Sequence, residues 1–447
     1  MRSTVINPIV DIFNQVPSER VYIQNKSEDV TYGYINRSIN QFSEDYSYLD
    51  GKNCALVTSS RFELAKVLPL IASVANKVFL QPKCLKEDVE KEFYEKSGIE
   101  YVINVSESGI CTSKISDVNA PKKQEWLLST SGTTGSPKLI SYNLASLMKT
   151  SKKDISKGGN FKWGLCYDLN RFAGLQVYFQ AIASGSSLTI SESSDELSDS
   201  VKLFIDKNVN CLSATPSFWR KVLMTKGSKL LGLKRITLGG EISDQAVLNS
   251  LKKYYENSHI VHIYASTEAG VGFSVKDGLA GFPVDYLEPS SSNSVILKII
   301  NDILWIKSDR ASTGIINGKI ETDDDGFINT GDIVEVKDSR ILFLGRDSGT
   351  INVGGNKVIP EEIEAVLNSH SKVMQSRVFG KKNPVLGMLV NAEIISNKTL
   401  AIDEEKKFKK ELFAFCNGKL EPFKIPAMLK FVECIAINES GKIVRKQ

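Results

Sequence analysis

Histidine is scarce in this chain: His259, His262 and His370 are the three present in 447 residues. A metal centre built on imidazoles is therefore not expected. The seven cysteines (Cys54, Cys84, Cys111, Cys166, Cys211, Cys416, Cys434) are odd in number, scattered, and form no C-x-x-C pair. That spacing implies neither a zinc site nor a disulfide framework. Long apolar runs are missing as well. The most apolar stretch, residues 67–80, is interrupted by Lys77 and preceded by Lys66, and it is too short to cross a bilayer. The opening MRSTVINPIV has no long apolar core and no small-residue cleavage site, so a secretory signal is not expected and a cytoplasmic protein is. No basic block stands out and the net charge is only +4, which gives no reason to expect a nucleic-acid partner.

What is present is the composition of a globular protein, 42% hydrophobic and 24% charged. Its length suggests two or three domains. From residue 21 to residue 125, β-like pieces alternate with segments of helical spacing. The pieces 21–24 and 30–32 could pair as a hairpin. Residues 34–49 repeat Ile35, Ile39, Phe42, Tyr46 and Leu49, the spacing of one helix face. Strands at 53–58, 77–80 and 101–104 alternate with helices at 62–75 and 87–96. This pattern predicts an α/β fold with a mostly parallel sheet covered on both faces. Further on, 142–150 reads as a helix, 181–190 as a strand, and 303–307 and 314–319 as antiparallel strands of a small β subdomain.

The chemistry concentrates first at LLSTSGTTGSPKLI, residues 127–140. A buried strand runs into Ser129–Gly135, in which five of seven residues carry hydroxyls. Such a turn can aim its backbone N–H groups at one point and so cradle an anion. Gly132 and Gly135 let backbone approach a ligand closely. Thr130, Ser131, Thr133 and Thr134 supply hydroxyls, and Lys138 supplies a point charge suited to phosphate. The spacing is not that of a Walker A loop. Loops of this composition also serve as plain surface turns, so the segments downstream decide between the two.

The string TSGTTGSPK resembles the phosphate loop of the acyl-adenylating superfamily: acyl- and aryl-CoA synthetases, peptide-synthetase adenylation domains and beetle luciferases. Further segments similar to that family occur in its order. At 236–241, ITLGGE is a strand ending in a glycine turn, and Gly239, Gly240 and Glu241 stand where the family packs adenine and acyl group. At 260–270, IVHIYASTEAG is similar to the family's Tyr-Gly-Ser/Thr-Thr-Glu, with Ala265 in place of glycine. The resemblance assigns Tyr264, Ala265 and Ser266 to the nucleotide, Thr267 to the α-phosphate, and Glu268 to Mg²⁺, a hard ion that wants oxygen ligands. At 326–334, GFINTGDIV places Asp332 on the ribose, and Arg346 stands fourteen residues on.

Other positions implied by the resemblance depart from its pattern. Around 165–177, Asp168, Arg171, Phe172 and Gly174 fall at the acyl pocket and its gate. Phe172 is the preferred gate because a ring can swing without bringing a charge. Asp168 stands near where amino-acid-adenylating domains hold a substrate ammonium, or it simply caps a helix. Ser348 falls at the hinge, where Asp or Lys is usual. Gly354, Gly355 and Lys357 form the face past which a thiol would travel. Near the end, Gly441-Lys442-Ile443 with Arg445 matches the family's ending, which makes Lys442 the catalytic lysine.

The resemblance implies a nucleotide- and acyl-binding domain at 1–345, made of layered α/β sheets plus a small β subdomain, and a small mobile α+β domain at 346–447. Its activity would be that of an AMP-forming acid–thiol ligase. ATP and Mg²⁺ would activate a small carboxylic acid to an acyl-adenylate, which is then passed to CoA. Two alternatives stay open: loading of an acyl or amino acid onto the phosphopantetheine of an acyl carrier protein, and a catalytically inactive nucleotide-binding relative.

Overall fold

The computed structural model describes residues 8–117, 124–130, 137–288, 294–383, 387–398, 400–436 and 442–444. These residues form four sheets. The first has eight strands, in the order Gly270–Val275, His259–Ser266, Arg235–Gly239, Cys211–Ala214, Lys162–Leu165, Ser187–Ile190, Val21–Gln24 and Asp29–Thr31. Its inner strands run parallel, and an antiparallel partner closes each edge. The second has seven strands, in the order Gly314–Ile315, Leu139–Tyr142, Glu125–Ser129, Lys77–Gln81, Asn53–Val57, Tyr101–Ser106 and Gly109–Lys114.

Two helices between these sheets are apolar nearly all round, as a helix covered on every side must be. Arg61–Val74 packs on strands Val21–Gln24 of the first sheet and Tyr101–Ser106 of the second. Phe172–Ala183 packs on Lys162–Leu165 and Ser187–Ile190. Polar groups inside the seam are satisfied: Tyr22 Oη lies 2.6 Å from Ala65 O and 2.7 Å from Tyr178 Oη. The expected α/β layering is present.

A third sheet, antiparallel, runs Phe282–Pro283, Arg340–Arg346, Ile328–Lys337, Ile303–Ser308 and Val295–Ile300. The fourth contains Asn356–Val358, Ile351–Val353, Gly387–Ser396 and Val373–Asn383, with Met428–Phe431 alongside. It encloses its own apolar cluster, including Val358, Ile363, Leu367, Ile394 and Leu412. A separate core of this kind is what lets a small domain hold together apart from its neighbour. No helix among the described residues is long and apolar enough to cross a membrane.

Three local expectations are corrected. Residues 142–150 were expected as one helix. Instead the chain returns as strand Leu139–Tyr142, antiparallel to Glu125–Ser129, and the helix is Leu144–Met148, with Asn143 Oδ1 accepting from Ser146 N at 2.7 Å. Residues 181–190 were expected as strand, but 181–183 end the buried helix, and Gly185 turns the chain at φ +64° before Ser187–Ile190 begins. The piece 314–319 was expected as a strand of the small β subdomain, but the strand there is only Gly314–Ile315 and pairs with Leu139–Tyr142 of the second sheet. Short apolar runs fit helix and strand alike, so partners decide them.

Candidate active site

Ligands of open α/β sheets bind beyond the carboxyl ends of the parallel strands. The sequence puts its candidates there. Strand Arg235–Gly239 delivers Gly240 and Glu241, strand His259–Ser266 delivers Thr267 and Glu268, and strand Glu125–Ser129 delivers Thr130. Thr130 and Lys138 bracket the phosphate-loop stretch and are tied to each other. Thr130 N donates to Lys138 O at 2.9 Å, and Lys138 N donates to Thr130 Oγ1 at 3.0 Å. Ser131, Gly132, Thr133, Thr134 and Gly135 lie outside the described residues, as do Gly441 and Arg445.

Glu268 sits at the turn between His259–Ser266 and Gly270–Val275. Ser266 Oγ accepts from Ala269 N at 3.0 Å, which tightens that turn. Gly270 takes φ +73°, and a Cβ there would lie 2.2 Å from Arg310 O, so only glycine closes it. Glu268 O accepts from Ser312 N at 2.9 Å, and Thr267 O accepts from the buried Tyr142 hydroxyl. Burial, with Glu268 second, pushes that hydroxyl far above the ordinary tyrosine range, so it remains a donor. Ala265, at a register shift in the strand pair, packs against the large core.

Asp332 and Arg346 face each other in register across strands Ile328–Lys337 and Arg340–Arg346. Arg346 Nε lies 2.9 Å from Asp332 Oδ1, and Tyr264 Oη donates to Asp332 Oδ2 at 2.5 Å. The Tyr264 ring lies nearly parallel to Phe273 and to Phe343, with centroids 5.2 Å and 5.0 Å away. The ring thus belongs to an aromatic stack, and its hydroxyl steadies Asp332.

The tail enters this cleft. The Lys442 Cε lies 3.7 Å from where a Cβ on Gly240 would stand, and Gly240 takes φ +83°. Burial, then the Arg346 guanidinium, lowers the Lys442 ammonium below the ordinary lysine range, while Glu241, Asp332 and Glu268 oppose that shift. Arg346 in turn feels Asp332 and Glu268. Residues from strand ends, from the third sheet and from the tail therefore share one small volume.

A lysine that bridges anionic groups acts in its charged form, so a reaction that rests on Lys442, such as the adenylation the resemblance implies, is expected to fall as pH rises through that lowered value. The profile of kcat/KM for ATP reports groups of the free enzyme. Its alkaline limb is expected below the ordinary lysine range and should move to higher pH in Lys442→Arg. A limb that stays in place would belong to another group. The linked effect on stability has the opposite sign: a lysine with a lowered folded pKa weakens the fold near neutrality, and that cost is relieved as pH rises.

Several residues expected at the acyl pocket are placed otherwise. The Asp168 carboxylate is paired with Arg61 Nε at 2.6 Å, so its charge is already matched and no longer argues for a substrate ammonium. Phe172 is buried and stacked on Tyr142, centroids 5.6 Å apart, which rules out the free swing expected of a gate. Gly174 is a packing glycine: a Cβ there would lie 2.1 Å from Asp168 O. Arg171 is the residue that reaches toward the loop, its Nη1 donating to Ser129 O at 3.0 Å. Glu241 turns its carboxylate to two backbone N–H groups. Its Oε2 accepts from Ser217 N and its Oε1 from Ile443 N, both at 3.0 Å.

Ser348 lies exposed in the turn Asp347–Gly349, between the third sheet and the fourth. Gly354 and Gly355, at φ +58° and +93°, form the two-residue turn of the hairpin Ile351–Val353/Asn356–Val358, which requires left-handed backbone at both positions. Lys357 Nζ pairs with Asp347 at 3.1 Å, so this hairpin adjoins the turn Asp347–Gly349. Two contacts had no sequence signal because their partners are distant. Arg220 Nη1 donates to Met374 O at 3.2 Å, and Arg377 Nη1 donates to Val444 O at 2.9 Å.

Among the described residues no group of three or more His, Cys, Asp and Glu could hold a metal ion. Glu268 is nevertheless a hard oxygen donor facing the cleft, and Mg²⁺ is commonly held by one or two carboxylates together with substrate phosphates. The donor set fits that mode of binding.

Comparison with known proteins identifies the family. Residues 54–295 match the family model described as AMP-binding enzyme, and residues 362–442 match the AMP-binding enzyme C-terminal domain. A 2-succinylbenzoate–CoA ligase of Lactococcus lactis subsp. lactis (strain IL1403) is 23% identical over 94% of this chain and 95% of its own length. The solved anthranilate CoA ligase AuaEII in complex with anthranoyl-AMP superposes with a TM-score of 0.77 at 17% identity, covering 97% of this chain and 95% of that one. The o-succinylbenzoate CoA synthetase of Bacillus subtilis, in complex with its acyl-adenylate intermediate, gives 0.72 at 19% identity over 98% and 97%. The two structures share the fold.

Proposed function

Because the chain belongs to the AMP-binding enzyme family, we propose that it activates a carboxylic acid with ATP and transfers the acyl group to CoA, and that the acid is an aryl carboxylate of the 2-succinylbenzoate kind. One observation carries the adenylating half: Lys442 is brought over Gly240 among Asp332, Arg346 and Glu268. The names of the relatives support the acid. Neutral side chains about the glycine turn support an aryl group there: Tyr167 Oη lies 3.3 Å from Gly239 O, and Cys166 Sγ lies 3.4 Å from Ser213 O.

The chemistry is governed by charge. A carboxylate oxygen attacks the α-phosphorus, and the bond from that phosphorus to the bridging oxygen of pyrophosphate breaks. Nucleophile and target are both anionic, so cationic groups must stand where the charge gathers. Lys442 is placed to span carboxylate and α-phosphate. Asp332, steadied by Tyr264 and Arg346, accepts from the ribose hydroxyls. Lys138 and the 130–135 stretch take the phosphates. Glu268 would hold Mg²⁺, which would supply the charge that neutralises the phosphate oxygens. In the second step a thiolate attacks the acyl carbon and AMP departs. For this the small domain turns about Asp347–Gly349, withdrawing Lys442 and presenting Gly354, Gly355 and Lys357.

The pairing of Asp168 with Arg61 removes the feature that favoured an amino acid substrate. A panel of carboxylic acids, with the adenylate trapped by hydroxylamine and the thioester monitored with free CoA, tests the reading. Expected are ATP- and acid-dependent pyrophosphate release, greatest with 2-succinylbenzoate or another aryl acid, and an acyl-CoA product. Release only with amino acids, or no thioester on CoA, would refute it.

A further inference from the structure

Glu241 was expected at the nucleotide, and both of its oxygens are occupied elsewhere. Oε2 accepts the Ser217 N–H in the first turn of helix Pro216–Met224, and Oε1 accepts the Ile443 N–H of the tail. A carboxylate at a helix N-terminus is favoured by the exposed N–H groups there, so the large domain holds this acceptor firmly. Val444, two residues on from Lys442, is held from the other side: its N donates to Ala436 O at 3.0 Å, and its O accepts from Arg377. Residues 442–444 are thus strung between the two domains, with Glu241 gripping the residue next to Lys442.

Resting on the adenylating activity proposed above, we infer that Glu241 is a positioning residue for the first half-reaction: its carboxylate, anchored on helix Pro216–Met224, clips the Ile443 N–H and thereby seats Lys442 at Gly240. The clip must release before the thiol step. Its strength therefore sets how the enzyme divides its time between the two arrangements. Loss of a residue acting this way lowers the rate of adenylate formation rather than ATP affinity, and it does not slow thioester formation.

The test uses the full chain carrying Glu241→Ala, with Glu241→Gln as the milder variant because an amide can still accept one of the two N–H bonds. Adenylate formation is expected to slow by roughly tenfold or more in kcat with KM for ATP within about twofold. Thioester formation from supplied acyl-adenylate and CoA should be unchanged or faster. Adding Glu241→Ala to Lys442→Ala should cost nothing further, because both act through one group. Independently of activity, tryptic cleavage after Lys442 in the nucleotide-free protein, monitored by mass spectrometry, should quicken in Glu241→Ala and, less, in Glu241→Gln. Unchanged cleavage, or a rise in KM for ATP with no fall in kcat, would overturn the clip and return Glu241 to the nucleotide. An equal loss in both half-reactions would overturn it too. A wild-type chain without ligase activity would refute the activity while leaving the cleavage result to judge the clip.

Discussion

Lys442→Ala should slow adenylate formation by about 10²–10³-fold, the cost seen when one preorganised donor is removed from a developing anion. That corresponds to about 3–4 kcal/mol at the transition state. Conversion of preformed acyl-adenylate and CoA to thioester should persist, because Lys442 is withdrawn for that step. The fold should be unaffected, since the tail adds little to either core. The reason for so large an effect lies in the site's electrostatics. Burial strips water from the ammonium, and Arg346 lowers it further. Its charge is therefore little screened where the anionic reactants meet. Separate assays of the two half-reactions check this. Equal loss in both would mean that Lys442 serves the fold or the thiol step, and no loss in either would remove it from the chemistry.

Asp332→Asn should reduce kcat/KM for ATP by about 10–100-fold, chiefly through KM, as expected when a charged acceptor of hydrogen bonds is lost. The shape of the site changes little because Asn matches Asp in size. The pair with Arg346 is weakened, but the Arg346 side chain is 52% exposed, so that part of the cost is small. The hydroxyl of Tyr264, held far above its ordinary pKa by burial and by Asp332, keeps its proton and still has an oxygen to meet. ATP lacking both ribose hydroxyls gives the decisive comparison. Wild-type enzyme should lose as much with that analogue as the variant loses with ATP, and combining analogue with variant should add little. Full additivity would mean that Asp332 does not touch the ribose.

Much of the site was legible because its constraints are local. Asp332 and Arg346 are fourteen residues apart and become cross-strand partners in one antiparallel pair, so their spacing nearly implies their contact. Glu268 comes just after a strand end and precedes a glycine that alone can close the turn. Gly354-Gly355 needs left-handed backbone at both positions, and composition declares that directly. The errors fall where packing overrode the pattern. Phe172 looked like a gate from its chemistry, but it stacks on Tyr142, thirty residues back along the chain. Asp168 looked poised for an ammonium until Arg61 reached it from the start of helix Arg61–Val74.

Resemblance alone singled out Lys442; short-range physics was enough to read the Asp332–Arg346 strand pair, the glycine-closed turn after Glu268 and the Gly354-Gly355 hairpin, because positive φ and strand pairing depend on near neighbours. Which carboxylates were already taken was beyond its reach. Arg61 meets Asp168 across 107 residues, and Glu241 meets Ile443 across 202. Such contacts exist only after sheets, helices and tail have come together, since an ion pair or hydrogen bond acts over a few ångströms in space and is indifferent to distance along the chain.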